Sequence, residues 1–257
     1  MTNIIKADLY RLLRGKGIYI TTALLVLVIF FAASGDSLIH VSTNNGDIFE
    51  PLTGLTAPFW LMSSPETIFA FLIPFIIFVV ASDFSSMTVK NALSAGEQRV
   101  KFYLSKLVLT CMFSILIIFT TVILGVVFAT IGYGFGGQIN MGFILRLIQM
   151  LGTQIFMYTA ITSVGVFLAF TTKNAAAVIC AYLAFCFIPT MIITIFAAGN
   201  SRLEFLYNYD IAMRISRLAN IEAMTATDII RAFALGGFYI LASTIIGIFL
   251  FKKCEIK

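Results

Sequence analysis

Charged residues are scarce in this sequence. Only 11% of its 257 residues are Asp, Glu, Lys or Arg, whereas 60% are apolar, and an ordinary soluble domain carries roughly 25% charged residues. The sequence also has a single histidine, His40, and four cysteines. A lone histidine without thiol or carboxylate companions does not predict a metal site, and cysteines within apolar runs do not predict a disulfide scaffold. The composition excludes a soluble globular class and favours a membrane protein.

The apolar residues are collected into six runs. Because a bilayer-spanning helix needs roughly 20 apolar residues, the last four are long enough unaided and the first two need flanking residues. The second is short enough to be re-entrant instead, although Ser64 and Pro65 before it have the pattern of a helix start. We predict an all-α polytopic membrane protein, with residues 1–257 forming a single transmembrane domain. The runs are 18–33, 66–82, 107–131, 144–170, 175–198 and 232–251.

The distribution of Lys and Arg predicts the orientation. Most of the 17 lie in residues 1–17, in 83–106, at Lys173 or after the last run, and the segments 34–65 and 132–143 hold none. Short cytoplasmic loops of membrane proteins carry such an excess of basic residues. We therefore expect both termini in the cytoplasm and a location in the cell membrane, and the positive net charge does not imply a nucleic-acid partner.

The first cytoplasmic segment predicts an amphipathic helix over 3–15. Ile5, Leu9, Leu12 and Leu13 share one helical face, and Arg11 and Arg14 lie on the other side. This is the pattern of a helix in the membrane interface. A plain basic flank of the first span would show similar charges. A signal peptide is a further alternative, which the long basic region and the five later runs oppose.

The segment 83–106 predicts a short helix on the cytoplasmic side. A helix over about 85–95 would bring Val89 close to Leu93 on one face, and Gly96 suits the left-handed residue that ends a helix. Such a helix, parallel to the membrane, offers a rigid surface to a soluble partner. A solvated charged linker is the alternative.

The outer segment 199–231 is long and patterned. Ile211 and Ile215 recur at helical spacing, which predicts a short amphipathic helix at the outer surface. Thr225 and Asp228 have the spacing of a capping box that opens the last span.

The stretch 86–99, followed by 103–107, resembles the segment after the second span of ABC-2 permeases, the membrane subunits of one class of ATP-binding-cassette transporters. That family has the pattern Gly-Thr-(Val/Ile)-Lys-Asn-x-Leu-Ser-x-Gly-x-x-Arg, leading into a basic residue that corresponds to Lys106. Met87 stands where the pattern has glycine. Six spans with helical segments in these three places also resemble the family.

The resemblance implies that residues 84–96 form a coupling helix that docks on a separate ATPase subunit, present in two copies, with the N-terminal helix nearby. The chain has no Gly-x-x-x-x-Gly-Lys-(Ser/Thr) phosphate loop. ATP and magnesium would therefore bind the partner, and this chain is expected to bind no cofactor and to be no enzyme. A second permease copy, as homodimer or related heterodimer, would complete the pore. The expected docking residues are Met87, Thr88, Lys90, Asn91, Ser94 and Arg99.

Within the family, the length and composition of this chain are similar to those of Gram-positive permeases for membrane-active peptides. These are of the lantibiotic-immunity or phenol-soluble-modulin exporter type. No Asp, Glu, Lys, Arg or His lies deep in a run, which disfavours ion-coupled transport and an intramembrane enzyme. We predict ATP-driven export of amphipathic or hydrophobic substrates, with a non-transporting subunit that senses or sequesters peptides as the alternative. In this hypothesis, aromatic residues near Pro74 and Pro189 line an apolar substrate cavity in the permease dimer. The alternative is that they serve only packing or lipid contact. The residues are Phe71, Phe75, Phe78, Tyr182 and Phe185.

Overall fold

The computed structural model describes residues 2–34, 39–43, 46–50, 52–199, 201–219 and 226–253. These residues form eleven α-helices, one π-helical segment, one 3-10 helix and one β-hairpin. The elements are α1 (Thr2–Arg14), α2 (Lys16–Ser34), β1 (Ile39–Thr43), β2 (Gly46–Glu50), α3 (Ala57–Ser63), α4 (Pro65–Ile76), the π segment (Ile77–Ala81), α5 (Ser82–Ser85), α6 (Thr88–Ser94), α7 (Arg99–Tyr133), α8 (Met141–Thr172), α9 (Ala175–Gly199), the 3-10 helix (Ser201–Asn208), α10 (Ile211–Ala219) and α11 (Ala226–Lys253).

Six helical stretches are long and apolar enough to cross a membrane, which confirms the prediction of an all-α polytopic protein. Five of them extend beyond the apolar run that predicted them, because polar residues continue the helix past the hydrocarbon-length core. The stretch Ala175–Ala197 instead ends one residue before its run does. The stretches are Lys16–Ala33, Pro65–Ser85, Arg99–Tyr133, Met141–Thr172, Ala175–Ala197 and Ala226–Lys253.

The second span is built from α4, the π segment and α5. Pro65 occupies the first turn of α4 as predicted, but the hydroxyl of Ser64 makes no capping hydrogen bond. Pro74 lies inside α4 and has no N–H to donate. The wider π turn begins three residues later, at Ile77, and such turns mark places where a helix is locally irregular.

The spans differ in how deeply they are buried within the chain. In the most apolar stretches of the second span and of α8, 61% of residues are buried, compared with 17% in α2, α9 and α11. Close approach between α8 and its neighbours depends on small residues. A Cβ at Gly165 would overlap Ile76, and one at Gly236 of α11 would lie 2.8 Å from the Phe156 ring. The second span and α8 therefore form the centre, and α2, α9 and α11 lie at the periphery.

The segment between α2 and α3 contains a β-hairpin that the sequence did not predict. β1 and β2 pair antiparallel, with Ile39 opposite Glu50 and Thr43 opposite Gly46. Beyond this hairpin, which includes His40, the backbone N–H of Gly54 donates to the carbonyl of Gly134 at the end of α7, over 3.2 Å.

The segment between α9 and α11 contains the predicted amphipathic helix, α10. Its Ile211 and Ile215 are buried, and Gln154 of α8 donates to the carbonyl of Ile215 at 2.8 Å. The Asp210 carboxylate accepts from the N–H of Met213 at 3.1 Å and caps α10. The predicted capping residue Thr225 lies outside the described residues.

Candidate functional site

The helix α6 lies at the end of the bundle that carries α1 and the last turn of α11, called here the α1 end. Val89 is 1% exposed and faces the core, with Ala92 and Leu93 packed beside it. The prediction that these apolar residues share one face is confirmed. The helix is shorter than predicted, because α5 ends at Ser85 and α6 begins only at Thr88.

The opposite face of α6 is exposed. Lys90, Asn91 and Ser94 are exposed, and Met87, immediately before the helix, has 60% of its surface exposed. The Thr88 hydroxyl lies 2.8 Å from that of Ser86. Five of the six predicted docking residues therefore lie on or beside one short helix, which presents a lysine, an amide and a hydroxyl outward.

Two left-handed residues fix the ends of α6. Met87 has φ 56° and Gly96 has φ 89°, so the predicted conformation of Gly96 is confirmed. The N–H of Glu97 donates to the carbonyl of Ala92 over 3.2 Å, which closes the helix end in the Schellman manner. Left-handed backbone costs a residue with a Cβ about 1–2 kcal/mol, which explains physically why glycine suits the position of Met87.

Four charged side chains meet at the α1 end of the bundle, in what we call the ion network: Asp8 and Arg11 of α1, Asp83 of α5 and Lys106 of α7. The Lys106 ammonium donates to Asp8 at 2.6 Å and forms an ion pair with Asp83. Arg11 lies 2.5 Å from Asp83 and 3.5 Å from Asp8. Lys106, Asp83 and Asp8 are 1%, 0% and 7% exposed. The network is neutral and joins α1 to the second and third spans.

Sequence reasoning missed the two acids, although a signal for one of them was present. Asp8 lies between Ile5 and Leu12 on the face of α1 that was predicted to be apolar, and a carboxylate on such a face needs a buried counter-charge. Asp83 directly follows an apolar run, where it was assigned to a cytoplasmic loop.

The remaining predicted residues of α1 divide between core and surface. Leu12 is 5% exposed, and Ile5 and Leu9 pack against the core. Leu13, which was predicted on the same face, is 50% exposed, so that part of the prediction is wrong. Arg14 is exposed and donates to the Tyr10 hydroxyl at 3.0 Å. The apolar side of α1 is thus held by the helical bundle as well as by the ion network.

Arg99, the sixth predicted docking residue, makes contacts within the chain. Its guanidinium donates to the carbonyls of Phe251 at 3.0 Å and Lys252 at 2.8 Å. These carbonyls belong to the last turn of α11, where backbone acceptors have no helical partner and a cation is stabilising. Arg99 therefore ties the start of the third span to the end of the sixth.

The aromatic residues predicted to line a cavity are spread through the single chain. Phe71, Phe75 and Tyr182 are buried, and Phe75 stacks on Phe113 with ring centroids 5.1 Å apart. Phe185 is partly buried and packs edge-to-face on Tyr239. Of three cavities that the structure describes, only one is lined by any of the five residues, through Phe78.

Phe78 of the π segment occupies a distinct place. It lines a cavity of about 290 Å³ together with Arg11 and Gly17, and a Cβ on Gly17 would lie 2.7 Å from the Phe78 ring.

Among the residues that the structure describes, no three His, Cys, Asp or Glu side chains cluster as a metal site would require.

Comparison with protein families gives a match over most of the chain. A family model described as "ABC-2 family transporter protein" matches residues 4–195, which include the ion network, α6 and five of the six spans. No curated protein matches the sequence. Because the family match covers more than half of the chain and six helices are long and apolar enough to cross a membrane, the chain belongs to the ABC-2 transporter family, as a multi-pass membrane permease component of an ATP-binding-cassette transporter.

Proposed function

We propose that this chain is the permease subunit of an ATP-driven exporter in a bacterial cell membrane, of Gram-positive type, with both termini in the cytoplasm. The observation that carries the proposal is α6. Its polar face is exposed and its apolar face is packed on the core, and it follows α5, which carries Asp83 of the ion network. The excess of Lys and Arg at the α1 end supports a cytoplasmic position for this end.

Two copies of a cytoplasmic ATPase subunit would dock on the outward side chains of α6, in a dimer of this chain or a heterodimer with a related permease. Closure of the ATPases moves α6, and the rigid turn at Met87 passes that movement to α5. Because Asp83 holds both Arg11 and Lys106, α1 and the third span move with it. This is an alternating-access mechanism in which ATP biases two arrangements of packed helices.

The proposed substrates are amphipathic or hydrophobic, with membrane-active peptides as the class. In the sequence the middle of each span has no Asp, Glu, Lys, Arg or His, so the interior offers no charged partner for a charged small solute. The peripheral helices α2 and α9 expose large apolar side chains, such as Phe31 (64%) and Phe196 (60%), to lipid or to a second copy. Phe75 and Tyr182 would reach a substrate only after these helices separate.

The docking surface is tested by reversing one charge on α6. Lys90→Glu should reduce copurification of ATPase subunits from native membranes, measured by quantitative mass spectrometry, because the exposed ammonium is replaced by an opposite charge. The matched control is Lys101→Glu, an exposed lysine at the same end on α7. Equal ATPase recovery with both variants would exclude α6 as the dock. Arg99→Glu is unsuitable because it breaks the contact with α11.

Export is tested with inside-out vesicles that contain the permease and its ATPase. We expect uptake of a labelled membrane-active peptide that requires ATP and is lost with Lys90→Glu. Peptide binding without ATP-dependent uptake would contradict export and support the sensing or sequestering alternative.

A further inference from the structure

A cavity of about 580 Å³ lies at the opposite end of the bundle from α1, between the 3-10 helix, α10 and the start of α11. This volume is within the range of small-molecule sites, roughly 300–1,000 Å³. The proposed coupling mechanism uses none of its residues. Side chains that matter for its chemistry are Phe205, Arg214, Arg231, Leu235, Phe238 and Tyr239.

Arg214 forms the polar floor of this cavity. It is 1% exposed, its Nη1 donates to Asp228 at 3.1 Å and its Nη2 donates to the carbonyl of Asn208 at 2.8 Å. Its Nε is buried without a hydrogen-bond partner among the described residues. Burial lowers the pKa of the Arg214 guanidinium, and the Asp228 carboxylate opposes that shift. A buried cation with an unused donor is costly unless an acceptor reaches it.

A second arginine makes the cavity positive. Arg231 lines it one turn after Asp228 on α11 and is exposed. Asp228 is engaged by Arg214, and Asp210 accepts from the Thr190 hydroxyl at 2.9 Å and from the N–H of Met213. The two charged side chains that line the cavity are both arginines. Guanidinium groups match the geometry of phosphate oxygens well.

The rest of the cavity is apolar and runs along a spanning helix. Leu235 and Phe238 follow Arg231 at intervals of four and seven residues, so the three share one face of α11. Seven residues rise about 10 Å along the helix axis, which carries the surface from the arginines into the membrane-length part of α11. Phe238 is 66% exposed, so this side of the cavity is open toward the surrounding bilayer.

We propose that this cavity binds an anionic phospholipid, with the phosphodiester headgroup at Arg231 and Arg214 and an acyl chain along Leu235 and Phe238. The bilayer that surrounds the six spans supplies such a molecule directly. A free phosphate would use the arginines but leave the apolar wall empty. A phospholipid without net charge would bring a cation together with its phosphodiester and would supply no net negative charge to Arg231. This inference goes beyond export and does not depend on an ATPase.

The test uses the full chain in phosphatidylcholine nanodiscs that contain a small fraction of photoactivatable phosphatidylglycerol, with adducts mapped by mass spectrometry. We expect adducts concentrated at Leu235, Phe238 and Tyr239. Arg231→Gln should reduce them about tenfold, the change that corresponds to one charge-assisted hydrogen bond of about 1.4 kcal/mol. Arg146→Gln, an exposed arginine at the start of α8 outside the cavity, should leave them unchanged.

Two further arms separate the sources of the ligand chemistry. Phe238→Ala should reduce adducts, whereas Phe31→Ala on α2 should not, and inorganic phosphate at millimolar concentration should not displace the lipid. Equal labelling in the Arg231 and Arg146 variants, equal labelling by photoactivatable phosphatidylcholine, or adducts spread evenly over α2, α9 and α11 would each overturn the proposal. Displacement by inorganic phosphate would show a phosphate site and also overturn it.

Discussion

Replacement of Lys106 by methionine should destabilise the protein strongly. Methionine has a similar volume and no charge, so the change leaves Asp8 and Asp83 in a buried position with Arg11 as their one cation in the network. Arg11 is 40% exposed on its side chain and lies 3.5 Å from Asp8, so it cannot replace a lysine that is 2.6 Å from that carboxylate. Removal of one partner from a buried ion pair typically costs about 3–5 kcal/mol.

A second substitution separates the charge effect from lost packing. The double variant Asp8→Asn with Lys106→Met restores neutrality, because Asp83 then faces Arg11 alone at 2.5 Å. Its cost should fall below the sum of the two single costs by about 1–3 kcal/mol, the range of coupling within one ion-pair network. Lys101→Met on the same helix, where the lysine is exposed, should change stability by less than about 0.5 kcal/mol.

The assay is unfolding of the purified chain in mixed micelles with increasing denaturing detergent, followed by the helical circular-dichroism signal. A cost for Lys106→Met of less than about 1 kcal/mol would show that the ion network is not a buried unit. Strict additivity of Asp8→Asn and Lys106→Met would refute the coupling between α1 and the third span.

Three further predictions follow from single positions. Met87→Gly should stabilise the chain by about 0.5–1 kcal/mol in the same assay, because φ is 56° and the side chain is mostly exposed; Ala95→Gly should destabilise it. Arg99→Met should speed hydrogen exchange at the end of α11, whose carbonyls it binds, whereas Arg146→Met should not. Gly165→Ala should cost about 1–3 kcal/mol through overlap with Ile76, whereas Gly152→Ala, in open space on the same helix, should be neutral or stabilising.

The membrane-spanning architecture was readable from the sequence because its cause is local. Within a bilayer, a single run of apolar residues can hydrogen-bond all of its own backbone N–H and C=O groups only as a helix. The position of each span could therefore be predicted before any contact was known. The left-handed Gly96 was predictable for the same reason, since the helix end depends on one residue and its immediate neighbours.

The candidate site was only partly predictable because its parts are distant in sequence. Lys106 was predicted to be one of several cytoplasmic basic residues. It is instead buried and forms ion pairs with Asp8 and Asp83, which lie 98 and 23 positions earlier in the sequence. Arg99 was assigned to an ATPase surface, yet it binds carbonyls 152 and 153 positions further along. Periodicity reports which face a residue occupies and carries no information about which helix end will meet it.

The π segment sets the angular phase of the second span. An α-helix advances about 100° per residue, and a π turn accommodates one residue more than an α turn. If residues 77–81 rewound into regular α-helix, everything beyond them would rotate about the span axis by roughly that angle. Asp83 would then leave Lys106, and α6 would point elsewhere. The five residues Ile77–Ala81 therefore set the rotational register between the two halves of the span, so that its charged end faces Lys106 while its aromatic half packs in the bundle.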